Sequence, residues 1–247
     1  MTQDLFRDDT YLRECTATIT AIGEAGIVLD RTVFYPLGGG QAGDAGGLQR
    51  ADGRVVAIAD TRKGKAEDGS PTADIVHLPA AGQDLSDLRV GESVTARIDW
   101  ARRHRLMRFH TTTHLLCHLV PQQVNGCSIT PDYARLDFSM TDPLDKDALT
   151  QGIAALVAAA YPVAVGSISD DELDANPSLV RSMSVQPPRG TGRVRTIRIG
   201  ADALIDYQPC GGTHVANTRE IGAVVVTKIE KKSATTRRIV LGFGPDS

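Results

Sequence analysis

The sequence predicts an α+β protein with a small N-terminal β-barrel over residues 1–99, followed by an α+β domain with an antiparallel sheet over residues 100–247. Three observations predict it. The first hundred residues hold short alternating apolar runs punctuated by turn residues, with no helical period among them. A sustained helical pattern begins near residue 100. The remainder mixes a second helix with well-spaced β runs, as in α+β domains.

In the first part, Thr16 to Ile22 alternates and Gly23-Glu24-Ala25-Gly26 turns the chain into Ile27-Val28-Leu29. Further β runs are Arg54 to Ala59, Ala73 to Leu78 and Ser93 to Asp99. Asp52-Gly53, Asp68-Gly69-Ser70-Pro71 and Gly91-Glu92 separate them as turn signals. Within this region lies Phe34-Tyr35-Pro36-Leu37-Gly38-Gly39-Gly40-Gln41-Ala42-Gly43-Asp44-Ala45-Gly46. No helical pattern follows it, so it is no dinucleotide fingerprint, and it lacks the Gly-Lys-Ser/Thr of a P-loop. Two readings stay open: a mobile glycine loop, or a loop whose backbone approaches a ligand or another segment closely.

Residues 100–119 read as a helix that Pro121 ends, with Leu106, Phe109, Leu115 and Leu116 near helical spacing. His110 and His114 are four apart, so they share one face, as two ligands of one metal would. Tyr133 to Phe138 alternates as a strand. Asp142-Pro143 reads as a capped start for a helix running from Leu144 to Ala160. Strands Val163–Ile168 and Val194–Ile199 follow, with a loop at 186–192 between them. Cys210-Gly211-Gly212-Thr213-His214 repeats the four-residue spacing, but its glycines argue for a loop. Ala223 to Glu230 and Thr236 to Phe243 close the chain as a hairpin. A thiolate and three imidazoles suit zinc, which is held by Cys sulfur and His nitrogen in a tetrahedron.

Composition narrows the function classes. The 247 residues are 41% hydrophobic and 23% charged, ordinary for a soluble globular chain, and no apolar run approaches the length of a membrane span. The first residues lack a basic segment followed by an apolar one, so no secretory signal is expected. Four cysteines at unpatterned spacings (Cys15, Cys117, Cys127, Cys210) point to reduced thiols in the cytoplasm. A net charge of −3 gives no global attraction to nucleic acid, so such binding must come from local patches. The candidates are Arg102, Arg103, His104 and Arg105, together with Lys231, Lys232, Arg237 and Arg238. The plain alternative for each is a solvated face.

These residues resemble one family. His110-Thr-Thr-Thr-His114-Leu-Leu and Cys210-Gly-Gly-Thr-His214-Val, followed by Glu220-Ile221-Gly222, resemble the editing domain of alanyl-tRNA synthetase. The four-ligand pattern is shared with threonyl-tRNA synthetase editing domains. The glycine loop resembles the Gly-Gly-Gln-x-Gly-Asp-x-Gly stretch of the barrel that precedes the alanyl domain. No stretch outside residues 10–244 has room for an aminoacylation domain, so the expectation is a free-standing AlaX-type trans-editing protein of the medium class. The resemblance implies hydrolysis of the ester of mischarged tRNA(Ala), chiefly seryl-tRNA(Ala), with glycyl-tRNA(Ala) as a further substrate. It implies Zn2+ held by His110, His114, Cys210 and His214. Where the alanyl pattern often has a third His, this chain has Cys117, with His118 beside it.

The catalytic group stays open at this level, as a metal-assisted water. Four protein ligands resemble a closed structural site, and no Glu sits between the histidines as in His-Glu-x-x-His. A loose ligand, an expanded shell and a purely structural zinc remain three accounts. Serine differs from alanine by a hydroxyl, and a site that bonds it discriminates by roughly four orders of magnitude. Candidates to meet that hydroxyl are Thr111, Asn125, Ser128 and Gln41, with Gly39 and Gly40 letting the backbone approach. Two competing functions are a non-catalytic tRNA-binding module with structural zinc and a threonyl-type editing hydrolase.

Overall fold

The computed structural model describes all residues except Glu67, Pro188, Arg189, Thr191, Asp246 and Ser247, so part of the expected 186–192 loop lies outside the described residues. The chain is α+β, and nearly all strand pairing is antiparallel. It divides into two units: Met1–Gly38 with Ala42–His104, and Gly39–Gln41 with Arg105–Ser247. The division therefore falls inside the long helix rather than ahead of it, and three glycine-loop residues group with the second unit.

In the first unit, β1 (Gln3–Asp4) precedes β2 (Glu14–Gly23) and β3 (Gly26–Leu29). Then come β4 (Arg31–Thr32), β5 (Gly46–Arg50), β6 (Val55–Lys65), β7 (Pro71–Pro79) and β8 (Ser93–Ile98). β1 and β4 form a short parallel pair. The other six hydrogen-bond in the cycle β2-β3-β7-β6-β5-β8, and β8 returns to β2, closing a barrel without a free edge. Alternation along β8 drives this: Val94, Ala96 and Ile98 are buried while Ser93 and Arg97 face out. They join Ile19, Leu29 and Leu48 in one core.

Arg103 requires a correction. It reads as a phosphate contact in the sequence, yet it is 0% exposed. Its guanidinium pairs with the equally buried Asp44 and donates to the carbonyl oxygens of Val33 (2.7 Å) and Thr10 (3.0 Å). A charge so enclosed has no face to offer a phosphate. Asp44 in turn accepts from the Tyr35 N–H at 2.7 Å, which pins the end of the glycine loop.

The helix α1 (Trp100–Leu119) is followed by β9 (Val124–Ile129), β10 (Ala134–Ser139), α2 (Lys146–Ala158), β11 (Val163–Ile168) and α3 (Asp170–Ala175). β12 (Val194–Ile199), β13 (Asp206–Pro209), β14 (Val224–Ser233) and β15 (Thr236–Phe243) complete the second unit. Its strands form two antiparallel sheets, ordered β14-β15-β10-β9 and β11-β12-β13. α2 starts later than the Asp142-Pro143 pair suggested, because Asp145 is the cap: its carboxylate accepts from Asp147 N (2.8 Å) and Ala148 N (3.0 Å). Asn125 and Gly126 lie inside β9, and the β9–β10 register slips there.

The middle of α1 is enclosed: from Leu106 to Cys117 only Arg108 is not fully buried. Three consecutive threonines are poor helix formers. Here their hydroxyls turn back on the helix, Thr111 to Met107 O (2.9 Å), Thr112 to Arg108 O (2.8 Å) and Thr113 to His110 O (2.7 Å). Burial thus leaves none of these hydroxyl protons unbonded, and packing overrides propensity.

Candidate metal centre

α1 carries His110 and His114 one turn apart, and the loop after β13 carries Cys210 and His214. One donor atom from each of the four lies within 4.8 Å of the others. Cys210 Sγ is 3.4 Å from His110 Nε2 and 3.3 Å from His214 Nε2. The two pairs of the sequence therefore form one group.

The far nitrogen of each ring decides whether that group suits a metal. His110 Nδ1 donates to Gln41 Oε1 at 2.7 Å, and His114 Nδ1 donates to Asp206 Oδ2 at 2.7 Å. The Thr111 hydroxyl gives its proton to Met107 O, so its oxygen accepts from His214 Nδ1 at 3.2 Å. With Nδ1 bonded from behind, each ring in its neutral form presents its lone pair on Nε2, the nitrogen that His110 and His214 turn toward Cys210. Three imidazole nitrogens and a sulfur converge with their tautomers assigned from behind, and the residues fit a metal cation.

Electrostatics agree. Burial works against a Cys210 thiolate, but its interactions with His110 and His214 and the hydrogen bonds from His110 and His114 outweigh that and hold the thiol well below its usual range. Burial, with the neighbouring charge of His110, holds His214 well below its ordinary value, in the neutral ligating form. Burial also disfavours a charged His114, yet the hydrogen bond to Asp206 overrides it and pushes that imidazole up to about 10. A cation arriving here must therefore displace the His114 proton, which couples metal affinity to pH.

The glycines are needed for contact. A Cβ on Gly212 would lie 2.0 Å from His110 Cε1, so the loop backbone rests against that ring. Gly40 has φ +84°, and a Cβ there would meet Cys127 Sγ at 2.9 Å; its carbonyl accepts from Ile129 N at 2.7 Å. Beside Gly39 and Gly40, Gln41 is fully buried. Its Oε1 also accepts from Thr213 N (3.1 Å), and its Nε2 donates to Thr213 Oγ1 (2.9 Å).

The other sequence candidates lie in varied settings. Thr111 is fully buried with its hydroxyl engaged between Met107 and His214. Ser128 is half-buried on β9, and Asn125 is exposed on that strand with its amide donating to Thr236 Oγ1 at 3.3 Å. Cys117 is buried and His118 exposed, and neither joins the four-residue group. Among the basic residues, Lys231 and Lys232 are exposed on the β14–β15 hairpin. Arg237 is a second correction: it is buried and spends its guanidinium on backbone carbonyls, including Thr141 O and Ser233 O. Arg238 is held by Asp137 through two bonds of 2.7 and 2.8 Å. Arg105 donates to Pro131 O at 2.7 Å and stacks on Phe243, while Arg102 is half-buried and donates to Gly43 O at 3.1 Å.

Asp206 escaped the sequence reading, although an acidic residue shortly before the Cys-Gly-Gly-Thr-His loop was a signal for a carboxylate behind a histidine. Gln208 supports it, donating to Asp206 Oδ2 at 2.8 Å.

Fold and site together define an α+β protein with a candidate metal centre, where a helix and a glycine-turn loop meet at three histidines and a cysteine. Residues 194–240 match the family described as threonyl and alanyl tRNA synthetase second additional domain, and residues 7–102 match tRNA synthetases class II (A). The alanyl-tRNA editing protein AlaX-M of Methanosarcina barkeri is 34% identical over 97% of this chain and 98% of its own length. AlaX-M of Saccharolobus solfataricus is 31% identical over 99% of this chain and 100% of its own. An alanine–tRNA ligase of Saccharolobus islandicus is 29% identical over 99% of this chain, which spans 27% of that enzyme. The chain belongs to the AlaX-M family of alanyl-tRNA editing proteins. Among the described residues no helix is long and apolar enough to cross a membrane.

Proposed function

We propose that the protein is a zinc-dependent aminoacyl-tRNA deacylase that hydrolyses the ester of mischarged tRNA(Ala), chiefly seryl-tRNA(Ala) and also glycyl-tRNA(Ala), in cytoplasmic translation quality control. The observation that carries this reading is the convergence of three Nε2 atoms and one Sγ, with each Nδ1 already bonded. Three nitrogens and a thiolate are a borderline-soft set that suits Zn2+. When bound, zinc supplies Lewis acidity for an ester carbonyl or a more acidic water.

The chain's own residues do the rest. Gln41, Asp206 and Thr111 orient the ligating rings. Gln41 Nε2 donates to Thr213 Oγ1, so the enclosed amide holds the loop and the His110 ring, and we assign the seryl hydroxyl to the half-buried Ser128 on β9. Asn125, exposed on the same strand, is a further candidate. Alanine offers no hydroxyl, so its ester forfeits that bond, a loss of roughly four orders of magnitude when the donor is buried. Lys231 and Lys232, with Arg102 and Arg105, supply phosphate contacts.

One experiment tests the reading. Seryl-tRNA(Ala), alanyl-tRNA(Ala) and seryl-tRNA(Thr) are incubated with the wild-type chain, with metal-stripped protein and with Cys210→Ala. The expected result is rapid loss of seryl-tRNA(Ala) alone, abolished by stripping or by the substitution. Equal cleavage of seryl-tRNA(Thr) moves the assignment to threonyl-type editing. Binding of tRNA without cleavage leaves a tRNA-binding module with structural zinc.

A further inference from the structure

We propose that Arg195 is a positioning residue for the Cys210–His214 loop, and through that loop for the metal; the proposal rests on reading the four-residue group as a metal centre. Arg195 lies on β12, next to β13 in the three-stranded sheet. Its Nη1 donates to two carbonyl oxygens, Cys210 O at 2.7 Å and Gly212 O at 3.0 Å. Its own carbonyl accepts from Cys210 N at 3.1 Å. A single residue thus grips the Cys-Gly-Gly turn at both ends, from its backbone and from its side chain.

This grip matters because of what the turn must do. Two successive glycines have the largest backbone freedom of any pair and no side chains to lock them. Between the gripped carbonyls, the Gly212 N–H points back at Cys210 Sγ, 3.4 Å away. The peptide that carries this N–H lies between the two gripped ones, so holding both flanks limits its rotation and steadies the sulfur, which faces His110 and His214. The same constraint holds Gly212 against the His110 ring. Two carbonyl oxygens converging on one point repel each other unless a cation sits between them. A guanidinium nitrogen presents two N–H groups in one rigid plane at a charge that does not titrate, whereas a lysine ammonium is a flexible point charge.

The test uses metal-stripped full-length protein titrated with Co2+, whose thiolate charge-transfer absorption and visible bands report the sulfur and the coordination geometry. Wild type is compared with Arg195→Ala, Arg195→Lys and the control Arg198→Ala. Arg198 lies on the same strand, is exposed, and donates to Ala201 O at 3.1 Å outside the site. Circular dichroism of the metal-free forms checks folding, and Arg195→Lys carries the comparison if Arg195→Ala does not fold. The expected outcome is a loss of Co2+ affinity of about 10–100-fold in Arg195→Ala with an altered thiolate band, an intermediate effect in Arg195→Lys, and a wild-type spectrum in Arg198→Ala. Wild-type affinity and spectrum in the Arg195 variants overturn the proposal, as does an equal loss in Arg198→Ala. A wild-type protein without any cobalt–thiolate band removes the metal-centre reading itself, and the proposal with it.

Discussion

Replacing Gly212 with alanine perturbs the site by a single methyl group. That methyl would lie 2.0 Å from His110 Cε1, 2.4 Å from Nδ1 and 3.0 Å from Gln41 Oε1. Carbon atoms rest about 3.5 Å or more apart, so ring and loop must separate by roughly 1.5 Å. Backbone on one side and a packed imidazole on the other leave no flexible chain end to yield. Metal–ligand distances tolerate only about 0.2 Å, so His110 and Cys210 cannot both stay in place. A misplacement of about 1 Å costs on the order of 100-fold in rate, or about 2.7 kcal/mol of barrier. Overpacking adds about 1–3 kcal/mol of lost stability. The assay combines zinc content, thermal melting of the metal-free form and single-turnover deacylation of seryl-tRNA(Ala). Gly23→Ala is the control, since nothing lies within 4 Å of its added methyl. Full zinc content and a wild-type rate in Gly212→Ala would refute the argument that the loop must touch this ring.

Three further outcomes follow from the geometry. Asp206→Asn keeps an acceptor for His114 but removes the charge behind it, so metal affinity falls about 10–100-fold in chelator competition; unchanged affinity counts against the carboxylate's role. His77 is buried in the first unit between Thr32 and the Ile27 carbonyl, and burial pulls its imidazole from 6.5 down to about 4. Above pH 6.5 both folded and unfolded chains hold it neutral; between there and about 4 only the unfolded chain takes up the proton, so folding stability drops by about 3 kcal/mol across that window. Urea titrations of wild type and His77→Gln over that range measure it, and parallel pH profiles would show that His77 is not the source. Lys231→Ala and Lys232→Ala each lower the slope of log affinity against log salt for tRNA by about 1 without changing zinc content; an unaltered slope excludes the hairpin from the tRNA contact.

The two pairs of the four-residue group were legible because their spacing is a local property: four residues make one helical turn, and two glycines make a loop. What stands behind them was not, because it depends on chain segments far apart in sequence. Asp206 reaches His114 across 92 residues and Gln41 reaches His110 across 69, and no window of sequence holds either pair. The same distance misled in the other direction at Arg103. A run of arginines looks like a solvated or phosphate-facing patch, and only the fold reveals Asp44, 59 residues earlier, enclosing one of them. Arg237 was hidden likewise by Thr141 O. Alternation located most strands to within a residue or two, since burial on one face dictates it. Caps were harder, because Asp142 and Asp145 offer the same chemistry and packing decides which begins α2. The consecutive threonines carried a helix against their own propensity for a reason only burial supplies.

Cys117 is buried and Cys127 half-buried, and both resist ionisation. Burial pushes both Cys117 and Cys127 up to about 12, and for Cys127 the charge of Cys210 adds to that rise. Cadmium, copper(I) and other thiophilic ions gain most where thiolates come in twos and threes. Here they find one, among three nitrogens. Among the four grouped donors Cys210 is the one sulfur, so a soft ion gains less here than at a site with two or three thiolates.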